Sequence, residues 1–233
     1  VHQKALVPCS AAEAAAYGAA CNAQIVAGLA QVHDTPPGEA SLSGSKLPSK
    51  TPGKLPFGSQ VAVVSGEGAW LEIRLPDGRS AWLQRGDVML HSERPRRDAA
   101  GIQAVLALIR RFAGVPYLWG GRSPFGYDCS GLAQAFHAFL GVQIPRDADQ
   151  QYRAGQPVTG SPQPGDLIFF GEPGSRASQR YAAVTHVAIV LDGWKIIHAN
   201  GTAWGVSYDD LSDEKDAYAG WLRDHNLGIR RFV

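Results

Sequence analysis

The second half of the chain alternates between apolar positions of helical period and short apolar runs flanked by glycine. From Ser130 onward, apolar residues recur at spacings of three and four, which predicts a helix that faces the core. They are Leu132, Ala133, Phe136, Phe139 and Leu140. A similar stripe begins after Asp98 and stops at Gly114, which predicts a second helix with an aspartate cap.

The helical patterns give way to strand patterns toward the C-terminus. We expect an apolar strand between Gly165 and Gly171, and a hairpin of residues 186–190 and 194–198 around Asp192-Gly193. Further strands are expected at 205–208 and 228–233, with a polar helix or loop at 209–226. A polar stretch at 172–183 is a candidate lid or a plain connection. Helices followed by an antiparallel sheet indicate an α+β fold.

The first half is patterned differently. Ser10 and Glu13 fit the capping box of a short helix, and residues 24–33 fit a first strand. Residues 35–56 are rich in Pro and Gly and predict a long irregular loop. Short apolar runs separated by glycine turns then predict a small β-barrel. They cover residues 60–64, 70–75 and 80–83.

A polar stretch containing proline separates the two halves. We therefore predict a barrel domain at 1–91, a linker at 92–97 and an α+β domain at 98–233. With 45% hydrophobic residues, 18% charged residues and a net charge of +1, the composition is that of a folded globular protein. It gives no reason to expect a nucleic-acid partner or membrane insertion. We expect a monomer.

The chain has three cysteines, of which Cys129 stands out. It comes directly before the first predicted turn of a helix, where unpaired backbone N–H groups and the helix dipole favour a thiolate. Cys129 is therefore a candidate nucleophile, although a buried structural cysteine would have the same sequence context. Cys9 and Cys21 could form a disulfide or remain two reduced thiols. The Val start, which we interpret as processed or trimmed, and the possible disulfide favour the cell envelope over the cytoplasm.

A thiol nucleophile needs a base and a group that orients the base. His186 and His198 lie on the two predicted hairpin strands, and they share a sheet face only if the connection is odd in length. We predict a three-residue loop at 191–193, or a bulge with the same effect. A zinc site of these histidines with Cys129 is possible by ligand type, but no closely spaced ligand pair accompanies them. We expect neither a metal nor another cofactor.

Several motifs occur in the order typical of one family. They are Tyr117-Leu118-Trp119-Gly120-Gly121, Asp128-Cys129-Ser130-Gly131, Ile144-Pro145-Arg146-Asp147, Gly165 to Phe170, Thr185 to Ile189, and Ile197-His198-Ala199. On these motifs, residues 98–233 resemble NlpC-type cell-wall peptidases, which are papain-like cysteine peptidases. Residues 22–90 resemble bacterial SH3-like domains. The combination is similar to the gamma-D-glutamyl-L-diamino acid endopeptidases.

The resemblance implies a function and roles for particular residues. The substrate would be a murein stem peptide, L-Ala-gamma-D-Glu-diaminopimelate with a free N-terminal L-Ala, cut after D-Glu. Cys129 would be the nucleophile, His186 the base and His198 the residue that orients His186. The substrate site would be lined by Tyr117, Trp119, Asp128 and Ser130.

Other interpretations of these residues and of the scaffold stay open. Asp128 could pair with the substrate ammonium or serve only as a helix cap, Trp119 could belong to the core, and Arg146 could pair with Asp147 locally. Glu72 and Asp87 are weak candidates for closing the site from the first domain. The same scaffold would also suit a murein amidase, an acyltransferase or a non-catalytic module that binds wall peptides.

Overall fold

The structure is a computed structural model that describes residues 10–35, 53–172 and 184–233. The chain divides into two compact units, Val1–Glu93 and Arg94–Val233. The predicted lid at 172–183 and most of the predicted irregular loop at 35–56 lie outside the described residues. None of the described helices is both long enough and apolar enough to cross a membrane.

The first unit begins with helix α1, Ala11–Ala20, and continues in short strands. The predicted capping box forms, because Ser10 and Glu13 each accept a hydrogen bond from the other's backbone N–H. The strands are β1 Ala23–Ile25, β2 Leu29–Gln31, β3 Lys54–Pro56, β4 Gln60–Glu67, β5 Trp70–Arg74, β6 Ser80–Gln84 and β7 Val88–Leu90. Cys21 is a free thiol, whereas Cys9 lies outside the described residues.

These strands form an open antiparallel sheet. Its order is β6-β5-β4-β1-β7, and β2 pairs separately with β3. The described residues do not form a closed barrel. The strand expected at 24–33 is two strands, because residues 26–28 turn away and Val26 donates to the carbonyl of Asp87. Part of the expected irregular loop is strand β3, in which Leu55 pairs with Ala30.

The second unit packs helices against one antiparallel sheet. The helices are α2 Ala99–Arg110, α3 Cys129–Phe139, α4 Ala148–Ala154 and α5 Ala217–Asp224. The strands are β8 Arg122–Ser123, β9 Gly126–Tyr127, β10 Gln156–Val158, β11 Leu167–Gly171, β12 Val184–Asp192, β13 Lys195–Asn200, β14 Gly205–Asp210 and β15 Asn226–Arg231. The six-stranded sheet runs β10-β15-β11-β12-β13-β14, with α3 against β12 and β13. The expectation of helices followed by an antiparallel sheet is confirmed.

Two of the predicted elements owe their boundaries to local chemistry. Asp98 caps α2 by accepting from the N–H of Gly101 at 2.9 Å. The helix ends at Arg110 with Arg111 as its C-cap, earlier than the predicted stop at Gly114, which adopts a φ of +83° in the turn that follows. Helix α3 buries its apolar stripe, and every residue of β11 is buried. The sequence patterns did not predict α4, β8, β9 or β10, which are short and lack a clear apolar period. Trp194 lies in the hairpin turn rather than in a strand.

Gly131, in the first turn of α3, is required by a close backbone approach. A Cβ at this position would lie 2.2 Å from the carbonyl oxygen of Gly121 and 2.9 Å from Asp128 Oδ1. The Gly131→Ala variant should therefore lose about 1–3 kcal/mol of unfolding free energy, as for other overpacked sites. The matched control is Gly220→Ala in α5, where the nearest atom to an added Cβ is the Nη2 of the flexible Arg223 side chain, at 3.5 Å. The control should be neutral or more stable, and equal stability of both variants in urea unfolding would contradict the prediction.

His137 in α3 should make the protein sensitive to acid. Burial lowers its pKa to about 4. Between about pH 6.5 and about pH 4, this histidine is therefore protonated in the unfolded chain but not in the folded protein. In that range the free energy of unfolding falls by about 1.4 kcal/mol for each unit by which the pH is lowered. His137→Phe, between the rings of Phe136 and Phe232, should remove this loss. Urea unfolding of both proteins at pH 7 and pH 5 tests it, and parallel losses would contradict it.

Candidate active site

Cys129 is the first residue of α3, as the sequence indicated. Asp128 is the N-cap, with extended backbone, and its Oδ1 accepts from the N–H of Gly131 at 2.7 Å. The absence of side chains at Gly121 and Gly131 lets the preceding loop lie directly against the helix start. This arrangement fixes the position of the sulfur at the end of a buried helix.

A β-bulge brings His186 and His198 to one face of the sheet. Next to the turn, Asp192 of β12 pairs with Lys195 of β13, and the next pair is Val190 with Ile196. Leu191 of β12 therefore has no partner residue on β13 and forms the bulge. The bulge shifts the register by one residue and puts both histidines on the same face. The predicted three-residue loop is wrong, and the bulge that was its alternative is present. His186 Nε2 lies 2.7 Å from His198 Nδ1.

The sulfur of Cys129 lies against strand β12, where it accepts a hydrogen bond from the backbone N–H of Val187, the residue after His186. Burial raises the pKa of the thiol to about 11, and the nearby Asp128 carboxylate acts in the same direction. Hydrogen bonds from the backbone N–H groups of Val187, Ser130 and Cys129 oppose this shift. Burial therefore opposes the thiolate that the helix start favours. A protonated thiol needs a base before it can attack.

His186 has the properties of such a base. Burial lowers its pKa well below the usual value, and the neighbouring His198 adds to the effect. The imidazole is consequently neutral at neutral pH and can accept a proton. A neutral thiol beside a neutral imidazole can generate the nucleophile by proton transfer during the attack.

His198 is held on its far side by groups that the sequence did not reveal. Its Nε2 lies 2.7 Å from Oδ2 of Asp209, and the amide nitrogen of Asn200 lies 2.9 Å from the same ring atom. The side chain of His198 is completely buried, and that of Asp209 is 13% exposed. The predicted strand stopped at residue 208, one residue before Asp209. The alternation of the polar residues Ser207 and Asp209 was the sequence signal that could have extended the predicted strand and identified Asp209.

The four predicted substrate residues line one groove. Its volume is about 560 Å³. The groove is lined by Tyr117, Trp119, Gly120, Asp128, Cys129, Ser130, Arg146, Asp147, Ala148, Asp149, Val184 and Thr185. Trp119 is 87% exposed, which excludes the alternative that it belongs to the core. Polar and aromatic groups thus surround the exposed side of the thiol.

Asp128 is a helix cap and also the partner of Arg146. Arg146 Nη2 and Nη1 donate to its two carboxylate oxygens at 2.5 and 3.1 Å, and Gly120 N–H donates at 2.8 Å. This ion pair replaces the local pair of Arg146 with Asp147 that the sequence suggested, because the buried Asp128 carboxylate requires a counter-ion. The hydrogen bond to Asp128 also raises the pKa of Arg146. In the described part of the chain, His, Cys, Asp and Glu form no group of three suited to a metal ion.

Curated proteins similar to this chain include enzymes that are named as peptidases. Gamma-D-glutamyl-L-lysine dipeptidyl-peptidase of Bacillus cereus is 30% identical over 76% of this chain and 50% of its own length. Peptidoglycan endopeptidase RipB of Mycobacterium tuberculosis is 37% identical over 48% of this chain and 49% of its own length. The chain thus spans about half the length of these curated relatives.

The fold agrees with a solved structure. The crystal structure of an NlpC/P60 family protein from Bacillus cereus matches 94% of this chain and 65% of its own, with a TM-score of 0.73 and 24% identity. The model of the NlpC/P60 family matches residues 114–222. That segment contains Cys129, His186, His198 and the whole groove. The chain therefore carries an NlpC/P60 domain.

Proposed function

We propose that the protein is a cysteine endopeptidase that cuts murein stem peptides between D-glutamate and the diamino acid. The observation that carries this proposal is the Cys129 thiol at a helix start, against the strand that carries His186, whose ring is hydrogen-bonded to His198 on the next strand. The names of the relatives support the reaction and the class of substrate.

The proposed reaction begins with both partners neutral. His186 takes the thiol proton while the sulfur attacks the amide carbonyl of the gamma-linked glutamate. The backbone N–H of Cys129 is placed to stabilise the developing oxyanion at the helix start. His186 then protonates the amine of the diamino acid, which leaves, and water hydrolyses the thioester. His198 orients His186 through the 2.7 Å hydrogen bond.

The groove carries both carboxylates and a guanidinium, so it suits a short peptide that has an ammonium and a carboxylate. Asp147 and Asp149 lie on its wall with the ion pair of Asp128 and Arg146. We infer that the ammonium of an N-terminal L-Ala binds among the carboxylates, with Tyr117 covering it. The exposed ring of Trp119 is available to pack on the peptide. Ser130 donates to Asp128 and accepts from Arg146, so we assign it to the support of this wall.

We further propose that residues 1–91 form an SH3-like domain, residues 92–97 a linker and residues 98–233 the peptidase domain. Short antiparallel strands with glycine turns in the first unit support the SH3-like assignment. The division of the chain into two compact units supports the separate peptidase domain. In the first unit, Glu72 accepts hydrogen bonds from the hydroxyls of Ser65 and Ser80.

Cys129→Ser should lower the turnover of L-Ala-gamma-D-Glu-diaminopimelate by more than about a thousandfold, because the serine hydroxyl is a poor nucleophile beside a weakly basic imidazole. Cys21→Ser, which removes the other free thiol of the described residues, is the control and should keep wild-type turnover. Retention of turnover by Cys129→Ser would refute the cysteine mechanism.

The cleaved bond and the need for a free amine can be tested with one pair of peptides. Mass spectrometry should find L-Ala-D-Glu and free diaminopimelate as products of the tripeptide. Acetylation of the alanine should lower kcat/KM by at least about a hundredfold, because the carboxylates in the groove would lose their charged partner. Equal rates would refute the requirement for a free amine. Cleavage only of intact murein, at the muramoyl–alanine bond, would indicate an amidase. Acyl transfer without hydrolysis would indicate an acyltransferase. Binding of the peptide without any product would indicate a non-catalytic module.

A further inference from the structure

We propose that Asp209 is a positioning residue, which acts through His198 to keep the proton of His186 on Nε2 and its Nδ1 free to accept. This inference rests on the proposed cysteine peptidase function. It assigns a role to a residue that contacts neither the sulfur nor the groove.

The contacts form a line across three strands. Oδ2 of Asp209 on β14 lies 2.7 Å from His198 Nε2 on β13, and His198 Nδ1 lies 2.7 Å from His186 Nε2 on β12. Both ring nitrogens of His198 are therefore occupied within a fully buried side chain. Rotation of this ring would break two hydrogen bonds, so its orientation is fixed.

The carboxylate determines which nitrogen of each ring carries the proton. An ionised carboxylate only accepts hydrogen bonds, so His198 Nε2 must carry a hydrogen and donate it to Asp209. In the neutral ring, His198 Nδ1 is then an acceptor, and His186 Nε2 must donate to it. The remaining nitrogen of His186, Nδ1, is left with its lone pair. That lone pair is what a base needs to take the thiol proton.

If Asp209 were absent, Asn200 would favour the opposite position of the proton on each of the two imidazole rings. Its oxygen accepts from the N–H of Ala203 at 2.6 Å, and its nitrogen donates to Ser207 Oγ at 2.7 Å. The same nitrogen lies 2.9 Å from His198 Nε2, where its second hydrogen could be donated. A donor at that position would move the proton of His198 to Nδ1 and, in turn, that of His186 to Nδ1. His186 would then present a hydrogen where the base needs a lone pair.

Asp209 also stabilises the charge that arises when His186 takes the proton. The carboxylate is mostly buried, and a charge–charge interaction through a buried ring is screened weakly by solvent. Among the described residues, the titratable groups near the two histidines from the helices are Cys129 on α3 and Tyr218 on α5, and the ring centroid of Tyr218 lies 6.2 Å from that of His198. Burial raises the pKa values of both, so they remain neutral at acid and neutral pH.

A purely structural role does not account for these contacts. Strands β13 and β14 are already paired by their backbones from Lys195 to Asn200. The adjacent Asp210 shows what a structural carboxylate does here, since it accepts from the N–H and hydroxyl of Ser212 at 2.9 and 2.5 Å. Asp210 forms no hydrogen bond or ion pair with His186 or His198, which makes it a matched control on the same strand.

The test compares Asp209→Asn, Asp210→Asn and Cys129→Ser in the full chain, with the tripeptide as substrate. Asp209→Asn should lower kcat about tenfold to a hundredfold, as for other groups that orient a functional histidine. KM should stay within about twofold, because no groove contact is removed. The pH at which kcat/KM falls on the acid side should decrease by about one unit. The substitution removes a negative charge that stabilises the protonated histidines and so lowers the pKa of His186 further. Asp210→Asn should behave as wild type.

The three variants distinguish the role of Asp209 from the proposed peptidase function. Wild-type kcat in Asp209→Asn, with Cys129→Ser inactive, would overturn the role of Asp209 and leave the peptidase intact. A loss of kcat that follows a fall in melting temperature, with the acid limb unmoved, would also overturn it and indicate a structural residue. Activity in Cys129→Ser would instead refute the proposed function itself.

Discussion

The site depends on the hydrogen bond between His186 and His198, which requires two neighbouring strands to present both rings on one face. The extra residue Leu191 makes this possible, because the tight turn after it would otherwise leave the rings on opposite faces. Helix α3 packs across the same strands and carries Cys129 at its start. The chemistry of the site therefore follows from one bulge and one helix start.

Burial is the second constraint, and it determines how the thiol can react. It raises the pKa of Cys129 and lowers that of His186, so that both groups are uncharged at neutral pH. The proposed mechanism transfers the proton when the substrate carbonyl is in place. Charge then develops where the backbone N–H of Cys129 and the carboxylate of Asp209 can stabilise it.

The sequence predicted the elements whose patterns are strong and local. The apolar stripes of α2 and α3, the caps Asp98 and Asp128 and the strand after Gly165 follow from period and capping chemistry alone. The position of Cys129 at a helix start was predicted from the same signals. The requirement that His186 and His198 share a face was predicted from register, although the device that meets it is a bulge rather than a longer loop.

The remainder depends on contacts between distant positions, which no local pattern records. Arg146 pairs with Asp128 across 18 positions of sequence, whereas a sequence pattern shows only its neighbour Asp147. Asp209 and Asn200 reach His198 because β13 and β14 pair in one particular register. The pKa of Cys129 depends on how deeply the folded domain buries the sulfur. In the first unit, the open order of the sheet depends likewise on which strand edges pair.

The central claim is that the line from Asp209 through His198 leaves His186 Nδ1 unprotonated in the resting protein. The most direct measurement is the long-range proton–nitrogen NMR spectrum of the labelled imidazoles at neutral pH, assigned with His186→Gln and His198→Gln. The account predicts that the His186 ring is neutral and carries its proton on Nε2. A His186 ring that is charged, or that carries its proton on Nδ1, would contradict it.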